Sequence, residues 1–489
     1  MLFLAVSCHL SCSKTPIDTQ EPEKPEMTIT SMSLKEYPGV EAEIDNPSKS
    51  IYMTLPFGAK PGKATIIYET SEGVTGSPES GSMVDISKEV EIFLKDAEGN
   101  ACKYVLKVSV GKSSSANIRS IVNKEYLVTG RITESEPMIK GSGIPQVEGQ
   151  FHGHFSPKPL AVLVKKFVGG AMCIICGLSL GREGPSIQLG AMTGQLVSRR
   201  LPNTDDEDKK LLLLCGACAG LASAFNAPLA GVAFALEETY KKFTPKAVFA
   251  AISASIIADI VSKLFFGTAS ALNMPQVDTL PLSLFFLYPI VGICCGCFGA
   301  LFNKTLLSTQ KLYKKLPLRD TFRITIPFLF AGLFGLLLPE VLGGGHHIID
   351  RLCGEGMLVG TMLLLLAGKF VFTMICFCSG APGGIFFPLL VLGALTGGIV
   401  GSGAVALLGL PEGVLLNFLL LGMVGMFSGI VRAPVTGIIL VAEMSGSLTQ
   451  FTGLVLVSAV AALTANLLGS KPIYDELLEN MLHNRSSSH

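Results

Sequence analysis

The sequence predicts an all-α polytopic membrane protein with broken helices and two related halves, carrying a small β-rich domain at its N-terminal end. Three observations predict it. The 489 residues are 49% hydrophobic and only 16% charged, with a mean hydropathy of +0.52, whereas soluble domains carry about 25% charged residues. The composition changes abruptly along the chain: residues 13–135 are polar, while between Phe370 and Ser470 the only charged residues are Glu412, Arg432 and Glu443. Finally, the apolar part contains an internal repeat.

In the polar part, Glu89–Lys95 and Lys103–Val110 alternate apolar and polar side chains around a turn at Asp96–Asn100. That is the pattern of a β-hairpin, and a small sandwich-like domain is expected over residues 13–135. Residues 1–12 form a short apolar stretch running into Cys8 and Cys12, which resembles the remnant of a bacterial lipoprotein signal. Lys+Arg and Asp+Glu balance at 38 each, so no basic excess points to nucleic acid. No nucleophile–base set or phosphate loop stands out, and a soluble enzyme is excluded.

Beyond Pro145, apolar segments near 160–180, 211–236, 246–266, 283–303, 324–343, 357–378, 386–408, 413–431, 433–445 and 451–469 suggest about ten membrane elements, several too short or too glycine-rich to be straight spans. The linker carrying Lys304, Lys311, Lys314 and Lys315 is placed in the cytoplasm by the positive-inside rule. Ten of the 13 cysteines lie in this part, including Cys173-x-x-Cys176 and Cys215-x-x-Cys218. Among Gly, Ala, Leu and Ile they read as small apolar residues at helix contacts, not as metal ligands. His346 and His347, after three glycines, read as structural. No metal and no cofactor is expected.

The repeat carries the functional information. Pro185-Ser-Ile-Gln-Leu-Gly-Ala-Met-Thr-Gly194 matches Pro388-Leu-Leu-Val-Leu-Gly-Ala-Leu-Thr-Gly397 at an offset of 203 (388 minus 185). Ala227-Pro-Leu-Ala-Gly231 leading to Glu237 matches Ala433-Pro-Val-Thr-Gly437 leading to Glu443 at an offset of 206 (433 minus 227). Duplicated membrane halves are the mark of transporter folds, and their Gly/Pro-interrupted segments point to the transported ion. Here those segments are Gly181-Arg182-Glu183-Gly184-Pro185 and Gly383-Gly384-Ile385-Phe386-Phe387-Pro388, with Gly141-Ser142-Gly143-Ile144-Pro145 as a third. Each puts glycines and a proline at the start of an apolar helix, leaving free backbone N–H groups that attract an anion without a buried cation. Ser142 adds a hydroxyl donor.

Glu183 singles out one of these starts. A carboxylate within a membrane segment costs about 2.5–3.5 kcal/mol on insertion scales, so it marks function by default. At an anion-binding helix end it can occupy the anion's place when ionised and leave when protonated, acting as a gate. Glu237 and Glu238, at the end of another apolar segment, could deliver protons from the water side; the alternative for them is a solvated helix end.

Gly141-Ser-Gly-Ile-Pro145, Gly181-Arg-Glu-Gly-Pro185, Gly384-Ile-Phe-Phe-Pro388 and Lys471-Pro-Ile-Tyr474, with Ala224-Phe-Asn-Ala-Pro-Leu-Ala-Gly231 between them, resemble the CLC family of chloride channels and chloride/proton antiporters over about residues 135–480. The resemblance implies inverted-topology halves, a homodimer with one ion pathway per subunit, and a multi-pass location in a bacterial cytoplasmic membrane. It implies chloride held by the Ser142 and Tyr474 hydroxyls and the N–H groups of Ile385 and Phe386, Glu183 as the external gating glutamate, and Glu238 as the internal proton-transfer glutamate. An acid at position 238 favours antiport over a passive voltage- or pH-gated channel. Ser142 resembles chloride-selective rather than nitrate-selective members, and Ser142 with Tyr474 argues against the fluoride-exporting branch.

The sequence departs from the family at its start. The two apolar segments 283–303 and 324–343 have their repeat partners near 80–100 and 121–140, which are polar. The membrane domain, taken as residues 136–480 before a polar tail 481–489, is therefore expected to lack its first two helices. A lipoprotein signal would also export residues 13–135, whereas the resemblance puts Ser142 toward the cytoplasm with no span between. The expectation is that two unrelated pieces are joined. A non-transporting remnant carrying a surface β-domain is the alternative that follows.

Overall fold

The computed structural model describes residues 27–110, 125–267, 272, 279–354, 356–446 and 449–486, apart from 38, 39, 41, 56–60 and 72. The expected lipoprotein signal with Cys8 and Cys12 lies outside the described residues. The chain divides into two compact units between Ser113 and Ser114.

Among its described residues the first unit holds eight strands: β1 (Ile29–Leu34), β2 (Glu43–Asp45), β3 (Ser50–Leu55), β4 (Lys63–Thr70), β5 (Thr75–Ser77), β6 (Met83–Asp85), β7 (Val90–Lys95) and β8 (Ala101–Val110). They form a three-stranded sheet, β1-β4-β6, and a five-stranded sheet, β2-β3-β8-β7-β5. The predicted hairpin is β7–β8, paired antiparallel with Phe93 opposite Lys103 and Lys95 opposite Ala101. Its turn closes through Asp96, whose Oδ1 accepts from the N–H groups of Glu98 and Asn100 at 3.0 and 2.8 Å. Period-two alternation sends Ile92, Leu94, Tyr104 and Leu106 into one apolar core with Ile29, Leu34 and Ile66 of the other sheet.

The second unit is helical: α1 (Glu125–Ser135), α2 (Ile144–Phe151), α3 (Pro159–Ile175), α4 (Glu183–Ser198), α5 (Asp206–Phe225), α6 (Pro228–Phe234), α7 (Pro245–Phe266), α8 (Leu287–Lys315), α9 (Asp320–Leu337), α10 (His346–Gly354), α11 (Val359–Cys378), α12 (Phe386–Leu408), α13 (Leu415–Ile430), α14 (Pro434–Ser445), α15 (Phe451–Leu467) and α16 (Ile473–Ser486). A π-helical turn, Ala235–Tyr240, continues α6. Among the described residues, five elements are long and apolar enough to cross a membrane: Pro245–Phe266, Leu282–Lys315, Asp320–Leu337, Val359–Cys378 and Phe386–Leu408. The remaining helices are shorter or more polar, as broken helices require.

One boundary differs from the sequence reading. Residues 125–135, grouped there with the β-rich segment, form helix α1 and belong to the second unit. α1 packs on α9, its own repeat counterpart: Thr321 Oγ1 donates to Glu134 Oε2 at 2.6 Å, and Lys140 pairs with Asp320. So the second of the two leading helices thought absent is present in shortened form. Its polar sequence hid it, because charge at Glu125, Arg131 and Glu134 breaks the apolar run by which a membrane element is recognised. No described helix stands opposite α8 in the first half; the positions expected for it fall in β6 and β7.

The repeated glycines are explained by helix contact. α4 crosses α5 so closely that a Cβ on Gly190 would lie 2.0 Å from the Gly216 carbonyl oxygen, and one on Gly194 2.1 Å from that of Leu212. In the second half a Cβ on Gly393 would lie 2.5 Å from the Gly422 oxygen, and one on Gly397 1.9 Å from that of Phe418. Small residues let membrane helices approach where no water drives them together. Gly397→Leu is expected to push α12 off α13 at a cost of about 3 kcal/mol or more, seen as loss of the monodisperse species in size-exclusion chromatography in detergent.

Candidate functional site

Three loops meet at the centre of the helical unit. Gly383 N–H donates to the Gly141 carbonyl at 2.9 Å, and Gly181 and Gly384 exchange two hydrogen bonds at 2.7 and 2.8 Å. These short bridges join the segments that open α2, α4 and α12, so the three glycine/proline starts converge. Glycine is needed where they meet: Gly141 and Gly143 take φ of 64° and 92°, and a Cβ on Gly143 would lie 2.4 Å from Gln188 Oε1. Pro145, Pro185 and Pro388 stand in the first turns, where a missing N–H breaks no helical bond.

Around this junction Ser142, Glu183, Ile385, Phe386 and Tyr474 are all buried. Ser142 Oγ accepts from Ile144 N–H at 3.3 Å, which leaves its own proton to donate. Gly184 abuts Ser142, where a Cβ would lie 2.8 Å from the serine Cβ. The Glu183 carboxylate folds back beside Gly181 and faces the N–H of Phe387, in the first turn of α12. Tyr474 lies edge-on to Phe234 at 6.4 Å between centroids, and Phe234 in turn packs on Phe386 at 5.7 Å. The Tyr474 hydroxyl, Glu183 Oε2 and Glu238 Oε1 are buried without a hydrogen-bond partner among the described residues. Arg182 is not gathered in; it is exposed and donates to the Ala224 carbonyl at 3.2 Å. A cavity of about 360 Å³, lined by Ser142, Gln146, Lys140, Lys314 and Arg323 among others, opens onto the site from the end of α8 that carries the basic residues.

A family model described as voltage-gated chloride channel matches residues 126–466. The chain belongs to the voltage-gated chloride channel family. It is an integral, multi-pass membrane protein. The H(+)/Cl(-) exchange transporter ClcA of Vibrio cholerae serotype O1 (strain M66-2) is 39% identical over 360 residues, covering 71% of this chain and 76% of the relative. ClcA of Klebsiella pneumoniae is 37% identical over 355 residues, covering 71% and 75%. Among solved structures, a slow cyanobacterial Cl-/H+ antiporter superposes with a TM-score of 0.68 at 28% identity, covering 76% of this chain and 94% of that one. A eukaryotic CLC transporter superposes at 0.63 and 23% identity, covering 75% and 66%, and speaks to the fold alone. The β unit matches, over residues 29–108, a separate model described as SGBP, N-terminal, a domain of surface glycan-binding proteins.

Several residues that hold this chloride-channel scaffold together were not singled out from sequence. Lys166 is fully buried in α3, and its Nζ donates to the carbonyls of Ile139 and Gly141 at 2.9 and 2.6 Å. Lys369 in α11 repeats the arrangement, donating to Val341 and Gly343 at 3.0 and 2.5 Å. The two lysines are 203 residues apart (369 minus 166), the offset of the repeat, and each pins the loop that leads into the next short helix. A lysine within an apolar run at that offset, Lys166 beside Lys165 in the first half and Lys369 by itself in the second, was the available signal. Lys166→Met is expected to lower stability by about 1.5–3 kcal/mol for each charge-assisted hydrogen bond lost, measured as a drop in the thermal midpoint in detergent.

Glu237, read from sequence as a proton-delivering group or a solvated helix end, holds backbone partners on another helix. Its carboxylate accepts from the N–H groups of Val435 and Thr436 at 3.2 and 2.8 Å, capping α14. Glu443 returns the favour, accepting from Leu229 and Ala230 at 3.1 and 2.7 Å at the start of α6. Negative charge at a helix N-terminus is stabilising, and the reciprocal pair fastens the two halves together. That leaves Glu238, buried within the same π turn, as the carboxylate of the two whose buried oxygen has no hydrogen-bond partner among the described residues. His346 stacks on Phe387 at 3.6 Å between centroids, and His347 bonds the Glu340 carbonyl. Cys173, Cys176 and Cys218 are buried within the helix packing.

Proposed function

We propose that this chain exchanges chloride for protons across a bacterial cytoplasmic membrane, with Glu183 as the external gate and Glu238 as the internal proton-transfer group. The observation that carries the reading is the convergence of three helix starts on one buried point where the Glu183 carboxylate already faces the Phe387 N–H. Chloride is bound there by the Ser142 and Tyr474 hydroxyls and the N–H groups of Ile385 and Phe386. Neutral donors and helix dipoles replace part of its hydration shell without a full counter-charge, so that the ion can both bind and leave. An ionised Glu183 takes the anion's place; protonated, it no longer competes, and chloride moves past it. The proton carried by Glu183 is exchanged with Glu238 on the far side of Tyr474. Lys140, Lys314 and Arg323 around the 360 Å³ cavity raise the local anion concentration at the inner mouth. The names of the relatives and the acid at 238 both support antiport over passive conduction.

Chloride titrated calorimetrically into the detergent-solubilised protein tests the binding set. Tyr474→Phe is expected to weaken binding about tenfold, the value of one hydrogen bond to a charged group; an unchanged affinity would remove Tyr474 from the site. We also infer a homodimer with one pathway in each subunit, to be checked by light scattering of the purified protein. The separate family matches over 29–108 and 126–466 support a junction of two unrelated pieces. A native peptide spanning residues 120–145, found by mass spectrometry in the host, would contradict that junction.

A further inference from the structure

Below Glu238 stands an ion cluster that the anion site does not use. Lys241, which ends the π turn carrying Glu238, places its Nζ 2.6 Å from Glu148 Oε1 and also pairs with Asp475. Glu148 is almost wholly buried, and its second oxygen has no hydrogen-bond partner among the described residues. Lys241 holds φ at 55°, the left-handed backbone that ends the π turn. The three charges come from three elements, two that bear a residue of the proposed transport site and one that begins two residues after Ser142. Glu148 lies on α2, which opens just after Ser142; Asp475 follows Tyr474 directly on α16; Lys241 closes the turn of Glu238.

We infer that Lys241 is a positioning residue, an ionic latch whose single ammonium ties the Glu238 turn to the two helices that supply Ser142 and Tyr474, and so links the proton state of Glu238 to the inner side of the anion site. The inference rests on the antiport reading above. The π turn that carries Glu238 packs on α2, and α2 packs on α16, so the charged groups of these elements nearest in the electrostatics of Glu238 are Lys241, Asp475, Glu148 and Glu237, and Glu237 is engaged on α14. Among the described residues, the cation of this cluster open to an ionised Glu238 is the ammonium already shared by Glu148 and Asp475. With Glu238 protonated, Lys241 is held fully by its two carboxylates, and α2 and α16 are drawn together around Ser142 and Tyr474. With Glu238 ionised, the ammonium is divided among three carboxylates and its hold on Asp475 weakens, freeing Tyr474 to move. Chloride passage at the inner side then depends on a proton leaving Glu238, a coupling carried by competition for one charge.

The test is the chloride-to-proton stoichiometry of the full chain in liposomes, with wild type, Lys241→Met, Lys241→Arg and Asp475→Asn compared at equal incorporation. Lys241→Met is expected to raise the ratio of chloride to protons by about fivefold or more, Asp475→Asn to raise it less, and Lys241→Arg to restore it. A merely structural role would lower both fluxes together and leave the ratio unchanged. A folded Lys241→Met protein with the wild-type ratio overturns the latch while leaving antiport intact. If that variant does not fold, Asp475→Asn decides by the same ratio. Wild-type chloride flux without protons sinks the antiport reading, and the latch with it.

Discussion

Glu238→Gln is expected to keep chloride moving while proton movement falls by about a hundredfold or more, the usual contribution of a positioned proton-transfer group. Glutamine preserves the shape of the buried side chain and its place within the π turn, so the anion pathway proposed through Ser142 and Tyr474 is left in place. What disappears is a group that can take up and release a proton within a buried pocket whose charged neighbours are Lys241, Asp475, Glu148 and Glu237. Glu237 cannot substitute, because its oxygens are committed to the N–H groups of Val435 and Thr436. Simultaneous chloride-electrode and pH-electrode recordings from proteoliposomes check the split. Equal loss of both fluxes would assign Glu238 to the scaffold instead.

The second large effect is at Glu183. Glu183→Gln imitates the protonated side chain and cannot take the place of an anion at the Phe387 N–H. Proton movement is expected to fall by about a hundredfold or more, and the chloride flux that remains is expected to lose its dependence on external pH. Chloride efflux followed across a series of external pH values makes the comparison. Persistence of the wild-type pH dependence in the variant would show that another group gates the pathway.

Much of this site was legible in the sequence because its requirements are local. Glycines at 141, 143, 181 and 384, prolines in the first turn of each helix, and a carboxylate at 183 are all demanded by the backbone at a helix start, and a local demand leaves a local motif. The repeat offset then showed that two of the starts are related. The β7–β8 hairpin was legible for the same reason, through alternation and a turn closed by Asp96. The partnerships across the molecule were not legible. Lys166 with Gly141 and Lys369 with Gly343 join residues 25 and 26 positions apart within one half, and Glu237 with Thr436 and Glu443 with Ala230 join residues 199 and 213 positions apart, a geometry that exists only once the two halves have docked. The same holds for Lys241, which joins Glu148 and Asp475 from opposite ends of the membrane unit. Helix α1 escaped for another reason: tertiary contact with α9 stabilises a segment whose composition, read by itself, belongs with the polar domain before it.

The measurement that bears most directly on the central claim is chloride efflux from liposomes reconstituted with the purified 489-residue chain, with external pH recorded at the same time. An outward chloride gradient is expected to drive protons uphill into the vesicles, and Glu238→Gln is expected to remove the proton signal while chloride continues to leave. Chloride efflux with no proton movement in the wild-type protein, or no flux from protein shown to be folded and inserted, would contradict chloride/proton exchange by this chain.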